Sequence, residues 1–327
     1  MRFKSLAALV AVGALAFAGC GSSSDDDGGS AGGGGGGSRA IGVAVADLGA
    51  PFFNAIRLGA ESVGKEQGYD VSVEDAQGDA QRQVDQVQGF ITKQVGAIVY
   101  VPAGAAAASV PVEAANDADI PVIAVDRKPD GGDVLTFIAS DSVNAARTLG
   151  EWYARAVEGR GDLAVLQGQV GTTPENDRKR GFEEGIAGTD IRIVAQQAAN
   201  WNQEQGHRAA QTILQAQPDL RGFFGRSDAM ALGAAEAAAQ AGVRDRLTIV
   251  GFDGLPAGLQ GVKNGDIDAT MVQQAYKMGQ LAAENAIAAI EGRADGIPAE
   301  QLQEAFLATK ENVDRYIAEQ PYGPQQP

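Results

Sequence analysis

The chain reads as short apolar runs alternating with longer segments in which apolar positions recur every three or four residues. Residues 41–46 are nearly all apolar, the pattern of a parallel strand buried on both faces. Asp47-Leu48-Gly49-Ala50-Pro51 breaks that run, and Pro51 stands where a helix can begin. Beyond it Phe53, Ile56, Ala60 and Val63 fall on one helical stripe that should face the core, which turns Phe52 elsewhere. An aromatic ring just past the carboxyl end of a parallel strand sits where open α/β sheets hold ligands; the same ring could instead be a lid over the core.

Further strands are predicted at 71–74, 97–101, 122–125 and 134–139, with helices at 80–94 and 105–116 between them. The rhythm restarts near Asp141, with strands at 163–167, 191–196, 222–224, 247–252 and 269–273. Helical patterns at 175–186, 203–215, 230–241 and 276–290 separate or follow them. This alternation predicts an α/β protein of two lobes, each a doubly wound parallel sheet. Residues 321–327, rich in Pro and Gln, read as a frayed end.

The front of the chain follows other rules. Arg2 and Lys4 precede an apolar stretch at 6–17, too short to span a membrane as a mature helix. It ends in Phe17-Ala18-Gly19-Cys20, which resembles the lipobox of bacterial lipoproteins; the alternative is an ordinary secretory signal with an incidental cysteine. Residues 1–20 are therefore expected to be a signal with Cys20 as the lipidated position. Residues 21–38, almost entirely Gly, Ser and Asp, are expected to be a flexible tether.

Composition narrows the chemistry. With 44% hydrophobic and 21% charged residues among 327, the chain can bury sizeable cores. A net charge of −16 argues against a nucleic-acid partner, which needs a basic face. Cys20 is the only cysteine and His207 the only histidine, so Cys/His nucleophilic catalysis and Cys- or His-rich metal sites are excluded. No metal or cofactor is expected.

Phe52, Asp126, Arg127, Asp253 and Gln273 each stand at or just past the carboxyl end of a predicted strand, which places them on a shared rim. Arg178 lies on the same helical face as Phe182 and Ile186, hence on the buried side. A buried arginine needs partners, either a ligand with several hydroxyls beside a carboxylate or a structural ion pair. Trp201, in Asn200-Trp201-Asn202, is either a stacking surface or an anchor for its loop.

From 39 to 309 the chain resembles the ribose-type, type I periplasmic sugar-binding proteins of ABC transporters. The matching features are Pro51-Phe52-Phe53, Ile120-Pro121-Val122-Ile123-Ala124-Val125-Asp126-Arg127, Asp177-Arg178 with Gly181-Phe182, Ser227-Asp228-Ala229-Met230-Ala231-Leu232-Gly233-Ala234, and Val250-Gly251-Phe252-Asp253-Gly254. The resemblance implies two lobes joined by a three-strand hinge and closing on one sugar, the first formed by 39–140 plus 274–302 and the second by 141–273 plus 303–320. It implies that Phe52 and Phe53 pack on one face of the sugar and Trp201 on the other, while Asp126, Arg127, Arg178, Asp253 and Gln273 bind hydroxyls. Ala50 and Ser227 stand where that family commonly carries Asn, so Ser227 reaches less far and a contact must be lost or rerouted, through water or Arg226. Pentoses, hexoses and polyols therefore all stay open as ligands.

The resemblance also implies an ABC permease partner, an extracytoplasmic location with lipid anchoring to the membrane through Cys20, and a monomer. A sensory receptor of the same fold is the alternative. A repressor of the same fold would carry a helix-turn-helix where this chain has its signal and tether. A glycosidase reading would make Asp126 and Asp253 acid and base. Arg127 and Arg178 are expected to hold both ionised, and an acid catalyst needs a raised pKa, so a non-enzyme is expected.

Overall fold

The computed structural model describes residues 38–105 and 107–324; Cys20, the signal and all of the tether but Ser38 lie outside the described residues. The first lobe comprises β1 (Ala40–Val45), α1 (Pro51–Gln67), β2 (Asp70–Asp75), α2 (Ala80–Thr92), β3 (Ala97–Tyr100), α3 (Ser109–Asn116), β4 (Val122–Val125) and β5 (Thr136–Ser140). The second begins with α4 (Ser142–Ala156), β6 (Arg160–Gln167), α5 (Thr173–Gly185), β7 (Asp190–Ala198) and α6 (Gln203–Ala216). It continues through β8 (Leu220–Gly225), α7 (Asp228–Gln240), β9 (Thr248–Val250), α8 (Pro256–Asn264) and β10 (Ala269–Val272). The chain then returns to the first lobe with α9 (Ala275–Ile290) and β11 (Glu300–Gln303), and to the second with β12 (Phe306–Thr309) and α10 (Val313–Glu319).

Each lobe holds a six-stranded sheet, ordered β2-β1-β3-β4-β5-β11 and β7-β6-β8-β9-β10-β12. All pairings are parallel except β12 on β10. Every residue of β3, β4 and β10 is buried, which is why β3 and β4 read as unbroken apolar runs. In both sheets the order reverses beside the first strand of the lobe, at β1/β3 and β6/β8, and loops at such switch points are where α/β sheets hold ligands.

The chain crosses between the sheets after β5, after β10 and between β11 and β12. The crossings lie side by side: Asp141 N–H donates to the Gln303 carbonyl at 2.8 Å, and Gln274 Nε2 to the Glu304 carbonyl at 2.9 Å. Helix α9 is held to the first lobe by backbone-to-backbone packing on α1. A Cβ on Gly279 would lie 1.9 Å from the Ile56 carbonyl oxygen, so no larger residue fits there without separating the helices.

Three local expectations differ from the structure. Helix α3 starts at Ser109 rather than at 105. Phe52 is as buried as Phe53, both 9% exposed and in one apolar cluster, because the first turn of α1 is covered on two sides. The frayed end is not frayed at residues 321–323, where the Pro321 carbonyl accepts from Tyr276 N–H and Tyr322 is buried.

Candidate functional site

The carboxyl ends of the two sheets face each other across a cavity of about 470 Å³. From the first lobe it is lined by the β1–α1 connection with Phe52 and Phe53, and by Asp126 and Arg127 after β4. From the second come Gln169 after β6, Arg178 on α5, Asn200 and Trp201 after β7, Ser227 after β8 and Asp253 after β9. At its edge Lys128 N–H donates to Thr173 Oγ1 at 2.9 Å, so the lobes touch directly there.

The charged groups form a balanced set. Arg178 Nη1 lies 2.9 Å from Asp253 Oδ1 and also donates to the Arg226 carbonyl at 2.6 Å. Its guanidinium sits between aromatic faces, 4.0 Å from the Phe252 centroid and 5.3 Å from Trp201. Arg127 donates through Nη1 to the carbonyls of Pro102 and Ala103 at 2.9 and 2.7 Å, and lies 5.1 Å from the Phe53 ring. Its Nε is 3.6 Å from Asp126 Oδ2, too far for a hydrogen bond. The Nε atoms of Arg127 and Arg178 and Nε1 of Trp201 are buried without a partner in the protein.

The backbone at these positions is strained. Asp126, Asn200, Trp201 and Asp253 have φ of 65°, 49°, 63° and 124°, conformations costing roughly 1–3 kcal/mol each in non-glycine residues. Ladder bonds hold the two aspartates in place: Asp126 N–H donates to the Ile138 carbonyl at 2.8 Å and Asp253 N–H to that of Met271 at 2.9 Å. Trp201 rests on the bare face of Gly168, where a Cβ would come within 2.0 Å of the ring.

Burial moves the carboxyl groups against the sequence expectation. It pushes Asp253 up to about 6, with Arg178 opposing and the charge of Asp126 adding to the rise. Asp126 is also raised by burial, against the pull of Arg127 and Arg178. Burial likewise lowers Arg127. The two arginines thus do not hold the aspartates in the ordinary carboxylate range, because taking the charges out of water outweighs the pairing.

Phe52, Phe53, Asp126, Arg127, Arg178, Trp201, Ser227 and Asp253 all line one cavity. Gln273 does not: it stands behind Asp253, donating Nε2 to Oδ1 at 2.8 Å, with its own Oε1 unpartnered. The Ser227 hydroxyl caps α7, accepting from Met230 N–H at 3.4 Å. Arg226 is not available to reroute a hydroxyl contact, since it is 1% exposed and paired with Glu175. Sequence reasoning missed Gln169, Asn200 and Asn202 on the lining. Asn200 carried a signal, because asparagine beside an exposed-loop tryptophan suits positive φ.

Comparison with known proteins agrees with this geometry. Residues 41–294 match the periplasmic binding protein domain. The chain is 34% identical over 253 residues to the ribose import binding protein of Bacillus subtilis (strain 168), covering 77% of this chain and 82% of that protein. It is 29% identical over 279 residues to the xylitol-binding protein of Mycolicibacterium smegmatis, covering 85% of this chain and 79% of that one. Among solved structures, an ABC transporter solute binding protein from Bacillus halodurans C-125 with bound myo-inositol superposes with a TM-score of 0.82 at 29% identity, covering 88% of this chain and 99% of its own. With the family's domain spanning most of the sequence, and two α/β lobes facing each other across one cavity, this chain belongs to the periplasmic binding proteins and has their type I fold.

Proposed function

We propose that this protein is an extracytoplasmic receptor that captures a monosaccharide (a pentose or hexose) or a polyol between its lobes and delivers it to an ABC permease. One observation carries the reading: aromatic walls and charged forks from both lobes converge on a single cavity of about 470 Å³. That size is within the usual range for small-ligand sites. Sugar rings have apolar C–H faces that suit the planes of Phe52, Phe53 and Trp201. Their hydroxyl rims suit the forks of Arg127 and Arg178 and the carboxylates of Asp126 and Asp253. The relatives named for ribose, xylitol and myo-inositol support the same class of ligand.

Ligand contacts made by both lobes favour the closed arrangement, and the permease reads that arrangement. The lobes are 39–140 plus 274–302 and 141–273 plus 303–320. A signal at 1–20, lipidation at Cys20 and a tether at 21–38 would hold a monomeric receptor to the membrane. Asp126 and Asp253 bind rather than catalyse, and the site works without a cofactor.

A thermal-shift screen tests this with ribose, xylose, arabinose, fructose, glucose, galactose, myo-inositol, short polyols and, as controls, amino acids. At ~100 times its dissociation constant a true ligand adds about 2.7 kcal/mol of stability. A shift with one sugar or polyol, confirmed by calorimetry, is expected; no shift across the panel would refute the reading.

The raised pKa of Asp253 gives two pH trends of opposite sign. A ligand that donates hydroxyls to this carboxylate binds its ionised form. Affinity is therefore expected to fall below pH 6, by up to about tenfold per pH unit for one group. Stability of the unliganded protein moves the other way. The folded state takes up the proton more readily than the unfolded chain, so this group adds stability as pH drops from above 6 towards the ordinary carboxylate range. Asp126 and Glu175, raised by the same burial, push stability in the same sense. Calorimetric affinities and melting curves from pH 5 to 8 measure both trends, and Asp253→Asn should flatten the first.

A further inference from the structure

The segment after α10 belongs by chain order to the second lobe, yet Tyr322 is buried in the apolar cluster of the first, with Phe52, Phe53 and Ala275. Its ring meets Phe52 edge-on, with centroids 6.4 Å apart. Its hydroxyl, also buried, donates to the backbone carbonyl of Asp253 at 2.8 Å. That carbonyl accepts a second bond, from Gln273 N–H at 2.9 Å. Tyr322 is not on the cavity lining; it reaches the proposed site through Phe52 on one side and Asp253 on the other.

The local backbone is built for this placement. Gln320 has φ of 48° and ends α10 in a left-handed turn, closed by Gly323 N–H donating to the Gln320 carbonyl at 2.8 Å. Gly323 has φ of 81°, and a Cβ there would fall 2.4 Å from the Tyr276 ring. The Pro321 carbonyl accepts from Tyr276 N–H at the first turn of α9, next to the crossing that follows β10. The turn is thus pinned against the hinge rather than trailing from the surface.

We propose that residues 320–323 form a strap, a further link between the lobes beside the three strand crossings, and that Tyr322 is a positioning residue which sets the carboxylate of Asp253 and the ring of Phe52 for the ligand. The proposal rests on the cavity being the sugar or polyol site. Asp253 sits at φ of 124°, a conformation it keeps only while its neighbours hold it. The Tyr322 hydroxyl supplies one of the bonds that do so. Moving the Asp253 backbone moves its carboxylate relative to Arg178, Gln273, Asp126 and the buried Asp228 nearby. The ring of Tyr322 fixes the opposite wall by wedging Phe52 towards the cavity.

The test compares Tyr322→Phe, which keeps the ring and loses the hydroxyl, with Tyr322→Ala, which loses both. Affinity for the sugar or polyol found in the screen is expected to fall about tenfold in the first and further in the second. The second measurement needs no ligand. It follows the carboxyl ¹³C resonance of Asp253, assigned by its disappearance in Asp253→Asn, through a pH titration. Its midpoint is expected to move by about half a unit or more in Tyr322→Phe while the melting temperature changes little. An unmoved midpoint overturns the proposal, because a residue that only fastens the tail would lower stability and leave Asp253 as it was. If no sugar or polyol binds the native chain, the ligand reading fails by itself and the titration still decides whether Tyr322 acts on Asp253.

Discussion

Replacing Arg178 with alanine is expected to weaken ligand binding by about 2–5 kcal/mol, roughly thirtyfold to a few thousandfold in dissociation constant. The size follows from what the side chain holds. Its guanidinium pairs with Asp253 at 2.9 Å, in a place where Arg178 is 3% exposed and Asp253 8%. Alanine would leave the aspartate buried with Gln273 as its one side-chain donor and raise its pKa still further above 6. It would also remove the cation held by Phe252 and Trp201, freeing the tryptophan ring that lines the cavity. Arg178→Lys should recover little, since an ammonium cannot serve the carboxylate, the Arg226 carbonyl and a ligand in one planar fork. Titration calorimetry with the ligand from the screen measures this. Unchanged affinity in Arg178→Ala would remove Arg178, and with it the charged half of the site, from the proposal.

Much of the arrangement that makes Arg178 matter could be read from the chain. Parallel strands covered on both faces leave continuous apolar runs, and the residues that end those runs mark the rim where lobes meet. That is why Phe52, Asp126, Arg127 and Asp253 were recognisable one by one, and why the ends of four strands suggested one surface. Arg178 was legible by a different route, from a charged position on the buried face of a helix.

What could not be read depends on partners far apart in sequence or on solvent exclusion. Strand β11, Glu-Gln-Leu-Gln, shows no apolar run, because it is an edge strand whose place comes from its pairing with β5. Tyr322 lies in a Pro- and Gln-rich end that reads as unstructured, and its partner Asp253 is 69 residues away. Arg226 and Glu175 are 51 residues apart, and neither shows its counterpart locally. The rise in the aspartates' pKa was hidden for another reason. Neighbouring arginines are visible in sequence, but the desolvation that overrides them appears only when both lobes cover the site.

The largest loss of stability is expected from Arg226→Ala, by about 3–5 kcal/mol. Arg226 and Glu175 form an ion pair with side chains 2% and 4% exposed. Glu175 also accepts from the Gly168 N–H at 2.8 Å, and Gly168 is the residue on which the Trp201 ring rests. Removing the arginine strands the carboxylate behind the binding wall. Burial already raises the pKa of Glu175, with Arg226 opposing; without that charge the rise grows and the group takes up a proton more readily. The deficit of Arg226→Ala should therefore shrink as pH falls from 8 to 5, since protonation relieves the stranded charge. Pairing Arg226→Met with Glu175→Gln should restore most of the stability, because the amide oxygen still accepts from Gly168 and no charge is left unpaired. Urea melts of native, single and double variants across that pH range measure all three effects. A single variant as stable as the native chain, or a double variant no better than the single, would show that the pair does not carry this wall of the cavity.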